Sequence, residues 1–408
     1  MKNLVINKRA IIVKSISCFL VFFSFSILLL GQDKSNQPIF LDLKVLDQYY
    51  QKFTSSGDKS AKQLENFLKL AQDLLSAKPL SVMDKEVIPP SGNKHDFISM
   101  GPYWWPDPSK NDGLPYIRRD GEVNPEYRKI TDEAYLSKTI EAVDVLTTAF
   151  YITKDKRYAD KATELMRVWF LDDQTKMNPN MQHAQYIPGI NTGRGIGLIE
   201  TRGLFKITDA VTLLRLSGKL NDEFYAKIFD WFDKYFEWIT KHQYGIDESN
   251  EKNNHGTWYD VQKCAIALFL GKTEIAKECI EASKTKRIAS QIEADGKQPL
   301  ELARTKSWGY SLMNLSGLFH LAIIGERIGV DLWKYESENG SSIRKALDFL
   351  IPYSIEHANW KYKQIETMKN NSLLPLLKIA QKKFDDEIYN NWLHKIFANN
   401  LTEEIIWE

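Results

Sequence analysis

Apolar residues recur at spacings of three and four along most of the chain, which is the period of an amphipathic α-helix. The clearest apolar stripes run from Leu136 to Phe150, from Phe224 to Ile239 and from Leu312 to Ala322. Similar patterns, separated by short polar or glycine-containing turns, predict helices over 62–76, 156–170, 200–217, 257–270, 272–284, 342–355, 371–381 and 384–397. The alternation that is typical of strands is scarce, so the sequence predicts an all-α protein.

The succession of these helices also predicts how they pack. Amphipathic helices joined by short turns favour helical hairpins that lie side by side, either closing into an (α/α) toroid or stacking as a solenoid. The sequence shows no fixed repeat period, which disfavours a regular repeat array. We therefore expect one helical domain over residues 32–408.

Two long stretches, 85–130 and 177–199, interrupt the helical pattern, and loops of this length in a compact domain are usually functional. The first contains Tyr103, Trp104 and Trp105 between prolines, where an ordinary helical stripe cannot form. Flat aromatic rings on a loop wall are able to stack on the apolar faces of sugar rings. The alternative is that these rings plug the loop against the core.

The second stretch ends in a glycine-rich run from Gly193 to Gly197. This run lacks the spacing of a dinucleotide-binding fingerprint, and no strand precedes it. The glycines instead favour a backbone that passes close to a ligand or a packed helix. Gln185, Arg194 and Arg202 are then candidates for binding a substrate, the arginines through its carboxylates, although a structural salt bridge is the favoured role for each arginine taken alone.

The first 31 residues differ in kind from the remainder. Lys2, Lys8, Arg9 and Lys14 precede an apolar run from 16 to 30, and no acidic residue occurs before Asp33. This is the pattern of a secretory signal peptide, and the apolar run is short for a membrane span. Cys18 lies inside the run rather than after it, so the pattern of a lipoprotein is missing. We expect a periplasmic or secreted protein without a membrane anchor after cleavage.

Charge and cysteine content narrow the function further. The chain has 54 basic and 53 acidic side chains, and removal of the four cations of the leader leaves 50 and 53, a formal charge of −3. Without a global basic field, nucleic acid binding is disfavoured, and an anionic partner has to be held by local arginines and lysines. Cys264 and Cys279 both fall within helical patterns, which favours two buried free thiols over a disulfide.

The most informative polar cluster is Asn253-Asn254-His255-Gly256, just before a helical pattern that begins near Thr257 and includes Tyr259. At a helix N-terminus the positive end of the dipole opposes protonation, so we expect a neutral His255 imidazole. Such a ring accepts a proton or donates a hydrogen bond, and the Asn254 amide adds further donors and acceptors. The alternative is a turn in which the asparagines only cap the helix.

Arg304 and Tyr310 form a second candidate pair. Six residues on an ideal helix turn by about 600°, which puts the two side chains about 240° apart. They converge only if Arg304 lies on a loop that enters a helix starting near Ser307 or Trp308. Tyr310 as a hydrogen-bonded core phenol is the alternative.

Together these groups suit the elimination chemistry that breaks a uronate polymer. The reaction removes the C5 proton beside the sugar carboxylate and protonates the oxygen that leaves C4, so the carboxylate has to be neutralised by hydrogen-bond donors. Asn254, His255 and Arg304 are suited to that role. Tyr310 is able to protonate the leaving oxygen, and either Tyr310 or His255 can take the C5 proton. The histidines are scattered without ligand spacing, so no metal or other cofactor is expected.

Three segments of the chain resemble the alginate lyase family of helical-toroid polysaccharide lyases. They are Asn178-Pro179-Asn180 through Gly197, then Asn254-His255, and then Pro299-Leu300-Glu301-Leu302-Ala303-Arg304 with Tyr310. The resemblance implies an (α/α) toroid of about six or seven hairpins with a long open cleft, no metal, and an active site of Asn254, His255, Arg304 and Tyr310. It further implies an anionic polysaccharide substrate. The aromatic loop and the Asn253-Asn254-His255-Gly256 form are similar to a divergent branch of that family, which leaves mannuronate, guluronate and glucuronate polymers open as substrates.

Two other functions remain open at this point. A glycoside hydrolase on a helical toroid needs two carboxylates that flank the scissile bond, and Asp260 and Glu301 are the candidates. A non-catalytic glycan-binding protein of a helical, aromatic-rich kind is the other alternative, and the missing lipoprotein cysteine counts against it. For the lyase, the candidate substrate-binding residues also include Tyr103, Trp104, Trp105, Asn253 and Tyr259. Oligomeric state and endo or exo action are not determined by the sequence.

Overall fold

The computed structural model describes residues 37–55, 61–354, 359–369, 371–384 and 386–399. The predicted signal peptide and Cys18 lie outside these described residues. None of the helices within the described ranges combines the length and the apolar character that a membrane crossing requires.

Helices dominate the part of the chain that the structure describes. Their bounds are α1 Leu43–Thr54, α2 Ala61–Leu74, α3 Asp132–Thr153, α4 Lys156–Phe170, α5 Leu204–Leu216, α6 Asp222–Lys241, α7 Gln243–Asn250, α8 Asn254–Phe269, α9 Thr273–Ser283, α10 Pro299–Leu302, α11 Ser307–Arg327, α12 Ile343–Leu350, α13 Leu374–Lys383 and α14 Glu387–Asn399. A π-helical turn, Lys284–Ala289, continues α9, and 3₁₀ turns occur at Val82–Asp84, Pro125–Lys129, Gly195–Thr201 and Ile351–Ser354.

The predicted helices are present, with differences at their ends. The 156–170 prediction coincides with α4, whereas the 200–217 prediction divides into a 3₁₀ turn and α5. Helix α8 begins at Asn254, three residues before the predicted start, because the Asn253 side chain accepts the backbone N–H of His255 at 3.0 Å. The 342–355 prediction corresponds to α12 and the 3₁₀ turn after it, and residue 355 lies outside the described ranges.

An inner ring of helices forms the core. Helices α3, α5, α8 and α11 bury residues around most of their circumference and pack in chain order, α3 on α5, α5 on α8, and α8 on α11. Outer helices cover them, with α4 on α3, α9 on α8 and α12 on α11. The outer helices keep one polar face exposed, which is the amphipathic pattern read from the sequence. This arrangement is the (α/α) toroid.

Four short strands connect the two long loops to each other and to the ring. Strand β1, Ile98–Met100, pairs in parallel with β4, His183–Tyr186, and so joins the 85–130 loop to the 177–199 loop. Strand β2, Trp104–Trp105, pairs with β3, Ile117–Arg118, in an antiparallel hairpin. A buried ion pair of 2.8 Å between Lys85 and Asp132 ties the first loop to the start of α3.

Cys264 on α8 and Cys279 on α9 are both buried free thiols, which confirms that prediction. Burial raises the pKa of the Cys264 thiol well above its ordinary value. A buried neutral thiol of this kind behaves as a small apolar side chain in the packing between the two helices.

Candidate active site

The first turn of α8 holds Asn254 between the helix and α10. Its backbone N–H and its side-chain Nδ2 each donate to one carboxylate oxygen of Glu301, both at 2.7 Å. Asn254 and Glu301 are both 1% exposed. Glu301 therefore fixes the orientation of the Asn254 amide.

His255 is oriented in the same manner by a second buried carboxylate. Its Nδ1 lies 3.0 Å from Oε1 of Glu248, which belongs to α7 and is fully buried. Because a carboxylate accepts hydrogen bonds, an Nδ1–H tautomer fits this contact and leaves Nε2 for a substrate. The predicted position of His255 at a helix N-terminus is confirmed. Its neutral charge state stays a prediction.

Arg304 and Tyr310 meet because α11 begins at Ser307, as their convergence requires. The Arg304 guanidinium carbon lies 4.0 Å from the centre of the Tyr310 ring. The guanidinium also donates to Asp120 of the 85–130 loop, from Nη2 at 2.8 Å and from Nε at 3.2 Å. Burial opposes ionisation of Asp120, but hydrogen bonds from Arg304 and Thr305 hold its pKa below its usual range.

The Tyr310 hydroxyl donates to the Tyr103 hydroxyl at 2.8 Å, so the aromatic loop reaches the predicted catalytic tyrosine. Burial raises the pKa of Tyr310 and the neighbouring Tyr103 adds to this effect, while Arg304 opposes it. The phenol is therefore protonated in the free protein and is able to donate a proton.

Glu301 and a contact between α8 and α11 bring Asn254 and His255 together with Arg304 and Tyr310. Burial raises the pKa of Glu301, and its contacts with Asn254 and the charges of Arg304 and His255 lower it, which shows that these groups surround one carboxylate. About one turn into α8 and two turns into α11, the indole Nε1 of Trp258 donates to the Met313 carbonyl at 2.9 Å. The starts of α8 and α11 are thus adjacent, and the structure gathers Asn254, His255, Arg304 and Tyr310.

Trp104 and Arg194 form a wall beside Tyr103. The Arg194 guanidinium lies 5.8 Å from the centre of the Trp104 ring, and it donates to the Gln185 backbone carbonyl at 3.0 Å and side-chain oxygen at 2.8 Å. Its partner is an amide rather than the carboxylate of a structural salt bridge. Gln185 adopts a left-handed backbone conformation, with φ of 49°, which marks a strained position in the 177–199 loop.

Trp105 and Asn253 lie on the loops that border this site. The Trp105 indole donates to the Glu122 carbonyl at 2.9 Å, and the Arg119 guanidinium lies 5.1 Å from its ring. Asn253 is partly exposed and caps α8. The candidate carboxylate binder Arg202 donates instead to the Ile199 carbonyl of its own turn.

Tyr259 is placed differently from the other candidates. It is 4% exposed, and its hydroxyl donates to the Ile239 carbonyl of α6 at 3.0 Å. This is the environment of a hydrogen-bonded core phenol, because α8 turns Tyr259 towards α6. The structure does not bring Tyr259 to the group formed by His255 and Tyr310.

The two carboxylates considered for a hydrolase are both engaged inside the protein. Asp260 forms a buried ion pair with Arg287 at 2.7 Å, and Glu301 accepts both hydrogen bonds from Asn254. Neither is placed to protonate or attack a glycosidic bond. In the described ranges, no three His, Cys, Asp or Glu side chains are grouped so as to hold a metal ion.

Sequence reasoning missed the roles of Glu248 and Asp120 and assigned Glu301 only to the rival hydrolase. Glu248 precedes His255 by seven residues, which is two helical turns, but a break between α7 and α8 separates them. Asp120 is 184 residues from Arg304. Neither spacing carries a local signal that would have identified the pair.

Known proteins resemble this chain in sequence and in structure. A family model described as alginate lyase matches residues 81–360. An alginate lyase from Bacteroides ovatus has a similar structure, with 38% identity, a TM-score of 0.85, and coverage of 91% of this chain and 97% of that chain. We find no significant match among curated protein sequences.

A more distant similarity is to alginate lyase A1-III from Sphingomonas species A1, whose histidine-to-alanine variant was crystallised with a tetrasaccharide. The identity is 16% and the TM-score 0.55, with coverage of 87% of this chain and 90% of that chain. At this identity the likeness shows a common fold alone.

Proposed function

The chain belongs to the alginate lyase family and is a polysaccharide lyase, and from this we propose that it cleaves alginate or a related β-1,4-linked polyuronate by β-elimination. The observation that carries the proposal is the convergence of Asn254, His255 and Arg304 with the protonated Tyr310 phenol. Donors of this kind stabilise a sugar carboxylate while negative charge spreads from C5.

The proposed reaction assigns one role to each group. The C5–H bond breaks and its proton passes to a base, the C4=C5 double bond forms, and the bond from C4 to the glycosidic oxygen breaks. Tyr310 protonates the leaving oxygen, since burial keeps its phenol protonated beforehand. Asn254, His255 and Arg304 surround the C5 carboxylate.

Two residues are candidates for the base. His255 offers Nε2, because Glu248 occupies Nδ1. Tyr310 is the alternative when the base and the leaving oxygen lie on one face of the sugar, with the positive charge of Arg304 at 4.0 Å favouring the phenolate.

The proposed substrate is an alginate of the poly-mannuronate type or a relative such as glucuronan. The name of the Bacteroides ovatus enzyme supports alginate. Trp104 and Trp105 are half-buried on the loop next to Tyr103 and provide ring faces for neighbouring sugars. Arg194 beside Trp104 supplies positive charge for an anionic chain.

Product analysis on a substrate panel tests the proposal. Polymannuronate, polyguluronate and glucuronan are each digested, and both new reducing ends and the ultraviolet absorbance of the C4=C5 uronate are followed. We expect both signals to rise together on at least one polymer. Reducing ends without absorbance would indicate hydrolysis, and neither signal on any polymer would contradict the proposal.

We further propose that the protein is exported, which the basic and apolar pattern of residues 1–31 supports. Expression of the full chain in a Gram-negative host, followed by mass spectrometry of the periplasmic and culture fractions, tests this. The protein recovered from these fractions should lack the apolar run up to Leu30. A protein that stays in the cytoplasm with residues 1–31 still attached would contradict export.

A further inference from the structure

We propose that Glu248 is a positioning residue of the elimination reaction, which holds His255 by Nδ1–H and leaves Nε2 as the ring nitrogen that meets the sugar. This inference rests on the proposed function and deepens it. It concerns how the imidazole is oriented and charged rather than which polymer is cleaved.

The geometry of Glu248 is that of a fixed, buried carboxylate. It is fully buried, its Oε1 lies 3.0 Å from His255 Nδ1, and its Oε2 is buried without a hydrogen-bond partner among the described residues. A buried carboxylate oxygen without a hydrogen-bond partner calls for an explanation, and a role in orienting His255 supplies one.

The surrounding backbone keeps Glu248 in place. The Arg287 guanidinium donates to the carbonyls of Ser249 and Glu251, both at 2.7 Å, and so clamps the end of α7. Gly195 packs closely against the start of the same helix, since an added Cβ at this position would lie 2.7 Å from the Tyr244 carbonyl oxygen. Because α7 is held at both ends, Glu248 is not free to withdraw from the ring.

The chemical consequence depends on the charge of His255. With Nδ1–H committed to Glu248, a neutral ring presents a lone pair at Nε2 and acts as a base, whereas an imidazolium presents Nε2–H and binds the sugar carboxylate. Burial raises the pKa of Glu248, and its contact with His255 opposes this effect. The ionised Glu248 carboxylate is expected to stabilise the imidazolium relative to the neutral ring.

Other charged and titratable groups act on the same pair. From α10, Glu301 is influenced by His255. The groups acting on or influenced by Glu248 are Glu251, which follows the end of α7, Arg287 of the π turn, Arg194 of the glycine-rich turn and Tyr235 of α6. Among them Glu248 is the group in hydrogen-bond contact with the ring. Its removal should have the largest effect on the titration of His255.

The central experiment compares the pH profile of kcat/KM for the wild type and Glu248→Gln. Glutamine keeps the size of the side chain and removes its charge, so the midpoint assigned to His255 should move to lower pH by about one unit or more. If His255 is the base, the acidic limb moves. If His255 is a carboxylate-binding imidazolium, the alkaline limb moves.

A shift of either limb supports the proposal, and unchanged limbs would overturn it even if the rate fell, since a merely structural side chain lowers the rate without moving a midpoint. Glu248→Asp keeps the charge at a greater distance and should show a smaller shift. If Glu248→Gln does not fold, Glu248→Asp still tests the proposal through this smaller shift of the pH profile. Glu237→Gln on α6, which removes an exposed carboxylate, is the matched control and should leave the profile unchanged.

A measurement without substrate separates this inference from the proposed function. In protein labelled with ¹⁵N-histidine, long-range ¹H–¹⁵N spectra report the tautomer and titration of His255, whose signal is assigned with His255→Gln. We expect an Nδ1–H ring in the wild type and a lower titration midpoint in Glu248→Gln. An Nε2–H tautomer in the wild type would overturn the role of Glu248, whatever the substrate panel shows.

Discussion

At the scale of single residues, three polar groups of the site share one feature, which is that each has a carboxylate as its partner. Glu301 holds Asn254, Glu248 contacts His255, and Asp120 binds Arg304. A side chain with its orientation fixed before the substrate arrives loses less freedom on binding and can be aimed at developing charge. Glu248 and Glu301 are buried, which limits their repulsion of an anionic polymer.

Tyr310→Phe tests the hydroxyl separately from the ring. Phenylalanine keeps the packing against the Arg304 guanidinium but removes the group that donates to Tyr103. We expect kcat to fall by roughly 10²–10⁴-fold, the usual contribution of a general acid or base, with little change in melting temperature.

The control for this variant is Tyr151→Phe, which removes a hydroxyl that donates to the Asp47 side chain at the surface. Its steady-state kinetics should match those of the wild type. If turnover of Tyr310→Phe were also unchanged, Tyr310 would have no part in proton transfer.

At the scale of elements, the 85–130 loop is fastened to the entry of α11 by Asp120. Its carboxylate accepts hydrogen bonds from the Arg304 guanidinium, from the Thr305 backbone N–H at 3.2 Å and from the Thr305 hydroxyl at 3.0 Å. The same loop carries Tyr103 to Tyr310. The loop therefore contributes the contacts that orient two catalytic candidates.

Asp120→Asn should weaken this anchor in a manner that depends on pH. The pKa of Asp120 is lower in the folded protein than its usual value of about 3.9, so the carboxylate stabilises the fold above about pH 4. That contribution is lost as the pH falls through the lower pKa of the folded state. The difference in melting temperature between wild type and variant should be constant from about pH 7 to 5 and narrow below about pH 4.

Asp112→Asn provides the control in the same loop, because Asp112 accepts only a local hydrogen bond from the Leu114 N–H. We expect its melting temperature to follow that of the wild type at each pH. A difference for Asp120→Asn that stayed constant to about pH 2.5 would contradict the role assigned to its charge.

At the scale of the whole molecule, the candidate active site and the N-terminal segment, residues 38–41, lie at opposite ends of α11. Tyr310 is in the first turn of that helix, and Arg327, 17 residues later and so about 25 Å along it, donates to the carbonyls of Pro38 and Ile39. Phe40 packs against Phe205 of α5 and His320 of α11. The segment thus joins two inner helices away from the proposed chemistry.

Asp209→Asn tests this connection. The buried Asp209 carboxylate accepts the backbone N–H groups of Ile39, Phe40 and Leu41 at 2.6–3.0 Å. The asparagine side chain has one acceptor oxygen, and its NH2 group is a donor that cannot accept hydrogen bonds from these N–H groups. The free energy of unfolding should fall by about 2–3 kcal/mol, as expected for hydrogen bonds to a charged group.

Urea unfolding followed by circular dichroism measures this change, with Glu237→Gln as an exposed control that should remain close to the wild type. Activity at low temperature should be retained by Asp209→Asn, because the segment does not contact the site. If Asp209→Asn had the same free energy of unfolding as the wild type, the N-terminal segment would contribute little to the stability of the helical ring.

The sequence by itself determined most of the helices and the candidate groups, although α1, α7 and α10 were not predicted. The three-to-four spacing of apolar residues depends only on neighbours along one helix, so α4, α8 and α11 can be read from it. The N-terminal position of His255 was predicted for the same reason. The convergence of Arg304 with Tyr310 was conditional on a helix that begins near Ser307, and α11 meets that condition.

Only the tertiary structure decided which residues bind and orient those groups. The partners of Asn254 and Arg304 are 47 and 184 residues away, and their contacts depend on the closure of the ring and on the β1–β4 pairing that fixes the loops. Tyr259 shows the same limit, since its place in the core is set by the packing of α8 against α6. Local periodicity specifies which face of a helix is apolar, but the identity of the neighbour on that face follows from the whole chain folding together.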